Sequence, residues 1–292
     1  MDFVNEPALL DDDRAERERP TAEGTRGKSK QLPYLISTLT APVEAAPWRQ
    51  IFRSKDDMAM IDATGLGAET VRHGEERFFH LYREAAEAAR DGHLLLLCPT
   101  ESDPTVYAMP RLSTSPRLIL SQLCAALRAS ALGHVSLILP YVHTVGEIDR
   151  IRQLIDRAMR LLAGRGEPFD EAITVGILLA TPASLLLSRK LLETVDFLLI
   201  DADTVTRLSV AADPHASPEL MNESAAAVLR LIEVGVGNAH ACGRFAAVGG
   251  QMVSDHRYLP HFLAMGADAL FAPAEQIPEM RRLARTITQN SR

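Results

Sequence analysis

Apolar positions along this chain fall into short β-rich runs, each followed by a stretch of helical spacing. The runs lie at 32–37, 58–62, 93–98, 134–141, 173–179, 195–201, 239–244 and 269–272. The stretch Phe197-Leu198-Leu199-Ile200 is apolar without alternation, as in parallel strands covered on both faces. Between runs the period changes. Ile148, Ile151, Ile155, Met159 and Leu162 recur with Arg150, Arg152, Asp156 and Arg157 between them, which predicts an amphipathic helix. Gly164 and Gly166 close that helix. A strand followed by a helix, repeated through the chain in this way, is what an α/β fold of the TIM (β/α)8 barrel type requires.

Composition fits one large core. In a chain of 292 residues with 47% hydrophobic content, one barrel of about 250 residues accounts for residues 31–292. Residues 1–30 are set apart: Asp11-Asp12-Asp13-Arg14-Ala15-Glu16-Arg17-Glu18-Arg19-Pro20 and Gly24 to Lys30 are too charged to build a core, and a disordered tail is expected. The formal charge of −7 argues against nucleic acid, whose phosphates need a basic face. The apolar runs are too short to span a bilayer and the N-terminus is acidic, so no membrane association and no signal peptide is expected. Cys98, Cys124 and Cys242 have no paired spacing, which points to free thiols in a reducing cytoplasm and to no zinc site. Gly65-Leu66-Gly67 lacks the third glycine of a dinucleotide fingerprint. Lysines stand only at 28, 30, 55 and 190, none at a predicted strand end, which rules out a Schiff-base aldolase.

Several stretches carry a resemblance. They are Gln122 to Ser130, Leu137-Ile138-Leu139-Pro140 with Glu147-Ile148, and Phe169-Asp170 through Pro182-Ala183. Val195-Asp196-Phe197 through Asp203 and Met265-Gly266-Ala267-Asp268 through Ile277-Pro278 follow in order, and Glu75-Glu76-Arg77-Phe78 with Tyr82 adds a helix upstream. Together they resemble the C-terminal barrel of phosphoenolpyruvate-utilising enzymes over roughly residues 55–285: Enzyme I of the phosphotransferase system, pyruvate phosphate dikinase and phosphoenolpyruvate synthase. The resemblance implies a barrel of the phosphoenolpyruvate/pyruvate type, with chemistry at the C-terminal ends of the strands. There arginines would hold the phosphate and carboxylate, and one Glu and one Asp would bind Mg2+.

Position by position, those groups are largely missing. The metal-binding Glu at the fifth strand falls on Ala180, with Thr181-Pro182-Ala183 kept around it. The metal-binding Asp at the sixth falls on Thr204 in Asp201-Ala202-Asp203-Thr204, and the arginine after it falls on Pro214 beside Asp213. No arginine stands between Arg53 and Arg72, and Cys98-Pro99-Thr100-Glu101-Ser102-Asp103 is neutral to acidic where the family is cationic. One further family arginine corresponds to Arg111 or Arg117. At the seventh strand the resemblance aligns the family's acid with Cys242, followed by Gly243 and by Arg244 in place of Glu. Losing one such contact costs about 3 kcal/mol, roughly a hundredfold in rate.

The expectation is a catalytically degenerate barrel with a binding, regulatory or oligomerisation role. The alternative is a Mg2+-dependent phosphotransferase or carbon–carbon lyase. Asp201 and Asp203, two apart on an extended segment, could share a face and hold a cation, or cap the following helix. Arg244 could bind an anion or pair with either acid. His143 and His240 could form a proton-transfer pair or simply pack. Cys242 could be an acid or a small buried residue, and Thr144 and Thr181 could cap helices or touch a ligand. No cofactor is expected, with Mg2+ only if the barrel is active. The resemblance implies a homodimer, with a protein partner as a further expectation.

Overall fold

The computed structural model describes residues 33–40, 48–52, 57–62, 67–89, 92–101, 111–112, 115–210 and 218–290. The predicted tail, Gly65-Leu66, Ser102-Asp103 and Asp213-Pro214 lie outside the described residues. Eight parallel strands close into a barrel in chain order: β1 (Tyr34–Thr40), β2 (Met58–Asp62), β3 (His93–Leu97), β4 (Val135–Pro140), β5 (Thr174–Leu179), β6 (Phe197–Asp201), β7 (Phe245–Gly249) and β8 (Ala269–Pro273), with β8 pairing back onto β1. A small antiparallel ribbon, Thr100–Glu101 with Arg111–Leu112, follows β3.

The helices are α1 (Trp48–Ile51), α2 (Gly67–Ala88), α3 (Pro116–Ser130), α4 (Val145–Arg165), α5 (Pro182–Leu186), α6 (Ser188–Leu192), α7 (Ala202–Val210), α8 (Pro218–Ala241), α9 (Gln251–Ser254), α10 (Leu259–Ala264) and α11 (Ile277–Asn290). The predicted face of α4 is buried through Ile148, Ile151, Ile155 and Leu162. The helix starts in a capping box between Thr144 and Glu147 and stops at Gly166. α3 starts with Ser115 as its cap and Pro116 next, the residue whose missing N–H costs nothing there.

One predicted strand is corrected. Residues 239–241 end α8, and the seventh strand begins at Phe245. The buried face of α8 runs Val228, Ile232, Val236, Ala239, so helical spacing continues into the run that reads as strand. Gly243, at φ 67, ends it, and Gly250, at φ 116, ends β7.

Alternation along the strands separates two cores. Leu94, Leu96, Leu198, Ile200, Ala246 and Val248 pack outward against the helices. Leu95, Leu97, Leu178, Phe197, Leu199, Phe245, Ala247, Ala269 and Phe271 form a separate cluster inside the barrel. The two large rings fit because glycines face them. A Cβ at Gly176 would come within 2.2 Å of the Phe197 ring, and one at Gly249 within 2.0 Å of the Phe271 ring. Below them a polar chain closes the barrel floor: His93 Nε2 lies 2.7 Å from Ser136 Oγ, which bonds in turn to Thr174 Oγ1.

Outside the barrel, Arg128 of α3 is a hub. Its guanidinium reaches Glu75 at 2.9 Å, Glu76 at 2.6 Å and Glu167 at 2.7 Å, and lies 3.9 Å over the Phe79 ring. Arg165 adds a second bond to Glu75 at 2.8 Å. Among the described residues no helix is long and apolar enough to cross a membrane.

Candidate functional site at the barrel mouth

The C-terminal strand ends bring together Asp62, Pro140, Leu179 with the following Ala180, Asp201, Gly249 and Pro273. Strand parity carries Ala180 inward with Leu178, and Asp201 inward with Phe197 and Leu199. Ala180 is buried, so a methyl group stands where the resemblance requires an oxygen ligand.

The two acids on and after β6 are already engaged by the protein. Asp201 caps α7: its Oδ1 accepts from the Thr204 N–H at 3.0 Å and its Oδ2 from the Thr204 hydroxyl at 2.7 Å. Asp203 turns away to α9, and both of its oxygens accept from the Gln251 N–H at 2.8 Å. Burial raises the Asp203 carboxyl above its ordinary range, the Gln251 N–H opposes that shift, and the charge of Asp201 adds to it. Among the described residues no group of three or more His, Cys, Asp and Glu side chains is placed to hold a metal ion. The two positions that the resemblance gives to the Mg2+ ligands do not fit that ion: Ala180 offers no oxygen, and Thr204 offers a hydroxyl that is already bonded to Asp201.

Tyr141, the last residue of the run at 134–141, lies directly after β4 and is not among the predicted site residues. Among the described residues it is the one non-glycine residue with positive φ, at 57°, a conformation an aromatic residue adopts only when its surroundings hold it. Its N–H donates to the Leu178 carbonyl at 2.8 Å and its side chain packs on the barrel interior. Burial raises its phenol well above the usual range. The charges of Asp201 and Asp62 add to the rise, and Arg207 opposes it. No residue type announces this conformation, although a strand-end Tyr directly after Pro140 marks a chain that must turn.

The remaining predicted site residues divide between the two ends of the barrel. Thr181 stays at the mouth as the cap of α5, its hydroxyl accepting from the Ser184 N–H at 3.0 Å. His143 is exposed beside the mouth, and its backbone N–H donates to Glu147 at 2.9 Å. His240, Cys242 and Arg244 precede β7 and lie at the opposite end, which corrects three expectations at once. His240 cannot pair with His143; its Nε2 lies 2.9 Å from Asp268, and this bond is the main cause of its raised pKa. Arg244 cannot reach Asp201 or Asp203. Cys242 is partly exposed, its Sγ 4.0 Å from the Arg189 carbonyl. The position at the mouth end of β7 is Gly249, covered by the Phe271 ring. The physical reason is the same for all three: α8 runs three residues into the predicted strand.

The family model of the PEP-utilising enzyme, PEP-binding domain, matches residues 96–289. A phosphoenolpyruvate-protein phosphotransferase of Buchnera aphidicola subsp. Baizongia pistaciae is 27% identical over 232 residues, covering 73% of this chain and 40% of the relative. One from Cupriavidus necator is 36% identical over 155 residues, covering 52% of this chain and 26% of the relative. The chain thus spans well under half the length of these relatives. Among solved structures, a citrate lyase from Burkholderia xenovorans LB400 superposes with a TM-score of 0.59 at 14% identity, covering 87% of this chain and 77% of that one. At that identity the likeness speaks for the fold alone.

Proposed function

Because the chain belongs to the family of the PEP-utilising enzyme, PEP-binding domain, we infer that it is a member whose barrel has lost phosphoryl-transfer chemistry and acts in binding or regulation. One observation supports the reading: among the described residues, the groups at the mouth are already engaged by the protein itself. Ala180 replaces a ligand oxygen, Asp201 and Asp203 are spent on helix ends, and Phe271 and Tyr141 fill the interior surface. A phosphorylated enol acid carries several negative charges and needs forked cations around it. Among the described residues, the charges acting on Tyr141 and Asp203 at the mouth are those of Asp62 and Asp201 against the single arginine Arg207.

The relatives' names favour a second reading directly: a Mg2+-dependent phosphotransferase, or a carbon–carbon lyase, using Asp201 and Asp203 for the metal. In that case the engaged carboxylates would have to release Thr204 and Gln251 before taking a cation. Calorimetry with Mg2+, with and without oxalate or pyruvate, separates the two, together with an assay of phosphoryl exchange from phosphoenolpyruvate to an added phosphocarrier. Absence of heat and of exchange is expected. Saturable Mg2+-dependent heat with oxalate, or measurable exchange, would overturn the first reading in favour of the second. A cytoplasmic, homodimeric protein with a protein partner is part of the same proposal. A single monomeric species in light scattering at micromolar concentration removes the dimer.

A further inference from the structure

Arg244, displaced from the mouth, lines a cavity of about 330 Å3 at the other end of the barrel. It shares the walls with Asp149 and Arg152 of α4 and with Glu193, Thr194 and Asp196 ahead of β6. Its Nε is sealed from solvent and meets no acceptor, an arrangement folded proteins rarely leave uncompensated. Three carboxylates line the same space, yet among the described residues no ion pair joins any of them to Arg244 or Arg152. Arg152 instead donates to the Thr194 carbonyl, and Asp196 accepts from the Val175 N–H at 2.9 Å. Opposite charges thus face one another across the cavity without touching.

That arrangement selects what can fill it. An inorganic anion would satisfy Arg244 and then meet three carboxylates. A simple cation would satisfy the acids and leave the Arg244 guanidinium on the cavity wall facing no anion. A molecule with both a carboxylate and an ammonium group bridges the two. The walls carry two guanidinium groups against three carboxylates, a net charge of −1, so a ligand of net charge +1 is preferred electrostatically. The volume lies at the small end of ligand sites, which run from about 300 to 1,000 Å3, and suits one amino acid better than a peptide or a nucleotide.

We propose that this cavity binds a free α-amino acid with a cationic side chain, its carboxylate on Arg244 and its ammonium groups on the facing acids. The site is remote from the mouth, so its fate is independent of the functional reading above. The test is calorimetry or ligand-observed NMR on the full chain with L-arginine and L-lysine. Agmatine, which lacks the carboxylate, and acetate, which lacks the ammonium, serve as controls. Saturable binding of L-arginine or L-lysine is expected, with agmatine and acetate at least tenfold weaker. Arg244→Gln should weaken the amino acid at least tenfold. Glu193→Gln, an isosteric change at an exposed position, should weaken it severalfold. No saturable binding of either amino acid at millimolar concentration overturns the proposal. So does agmatine or acetate binding as tightly as L-arginine, or affinity unchanged in both variants.

Discussion

Gly249 and Phe271 offer a test of whether the mouth is sealed by packing. Alanine at 249 would place its Cβ 2.0 to 2.4 Å from three atoms of the Phe271 ring, including the one nearest its own backbone, so the ring cannot swing clear without moving β8. Overpacking of this kind costs about 1–3 kcal/mol. Against it stands the entropy that alanine removes from the unfolded chain, about 0.4–1 kcal/mol in favour of folding. The steric cost wins, and Gly249→Ala is expected to destabilise by about 1–2 kcal/mol. Phe271→Ala deletes a ring that is only 6% exposed and should cost about 3–5 kcal/mol. In the background of that deletion the methyl at 249 enters vacated space, so the glycine substitution should become neutral or mildly stabilising. Urea denaturation of the four proteins in the cycle reads the effect, and in thermal melts each kcal/mol is about 2 °C for a chain of this size. Two single effects that add to within about 0.5 kcal/mol would refute the packing account.

Other expectations follow from named contacts. His240 has a folded-state pKa raised chiefly by its bond to Asp268, so the stability it contributes is complete below its unfolded value and is lost as pH rises through the folded one; Asp268→Asn should remove that loss in melts across neutral pH. His93 behaves oppositely: burial, with the nearby His134, lowers it to about 4, so stability falls as pH drops from about 6.5 toward 4, by roughly 3 kcal/mol at one 1.36 kcal/mol step per pH unit, and His93→Gln should flatten this acid limb. Arg128→Met should cost about 2 kcal/mol, between exposed and buried ion pairs, whereas Arg165→Met, at a side chain 45% exposed, should cost under about 1 kcal/mol by the same denaturation assay. Thr144→Ala should cost about 1 kcal/mol through the lost capping box of α4, visible as faster amide exchange in its first turn.

The barrel was readable because parallel strands buried on both faces leave unalternated apolar runs, and seven of these fall within a few residues of β1 to β6 and β8. The seventh failed for a specific reason. Ala239-His240-Ala241 has no strand preference of its own, and the α8 face of Val228, Ile232, Val236 and Ala239 carries helical spacing straight through it. That shift of the strand's start from 239 to 245 moved Cys242, Arg244 and His240 from one end of the barrel to the other. The start of α5 was legible in Thr181-Pro182, which keep a capping role directly after the buried Ala180. The helix-cap reading of Asp201 is the one the structure bears out, since an acid three residues before Thr204 at a strand-to-helix junction is a cap pattern. The role of Asp203 could not be read, because its partner Gln251 is distant in sequence, and local patterns carry no such contact.

The hub at Arg128 has a consequence for how this molecule comes apart. One guanidinium holds acids from α2 and from the turn after α4 while resting on Phe79, so none of these segments can fray without surrendering the others' charge balance. The flank from α2 to α4 is therefore built to open as one cooperative block, and slow amide exchange there should disappear together rather than helix by helix.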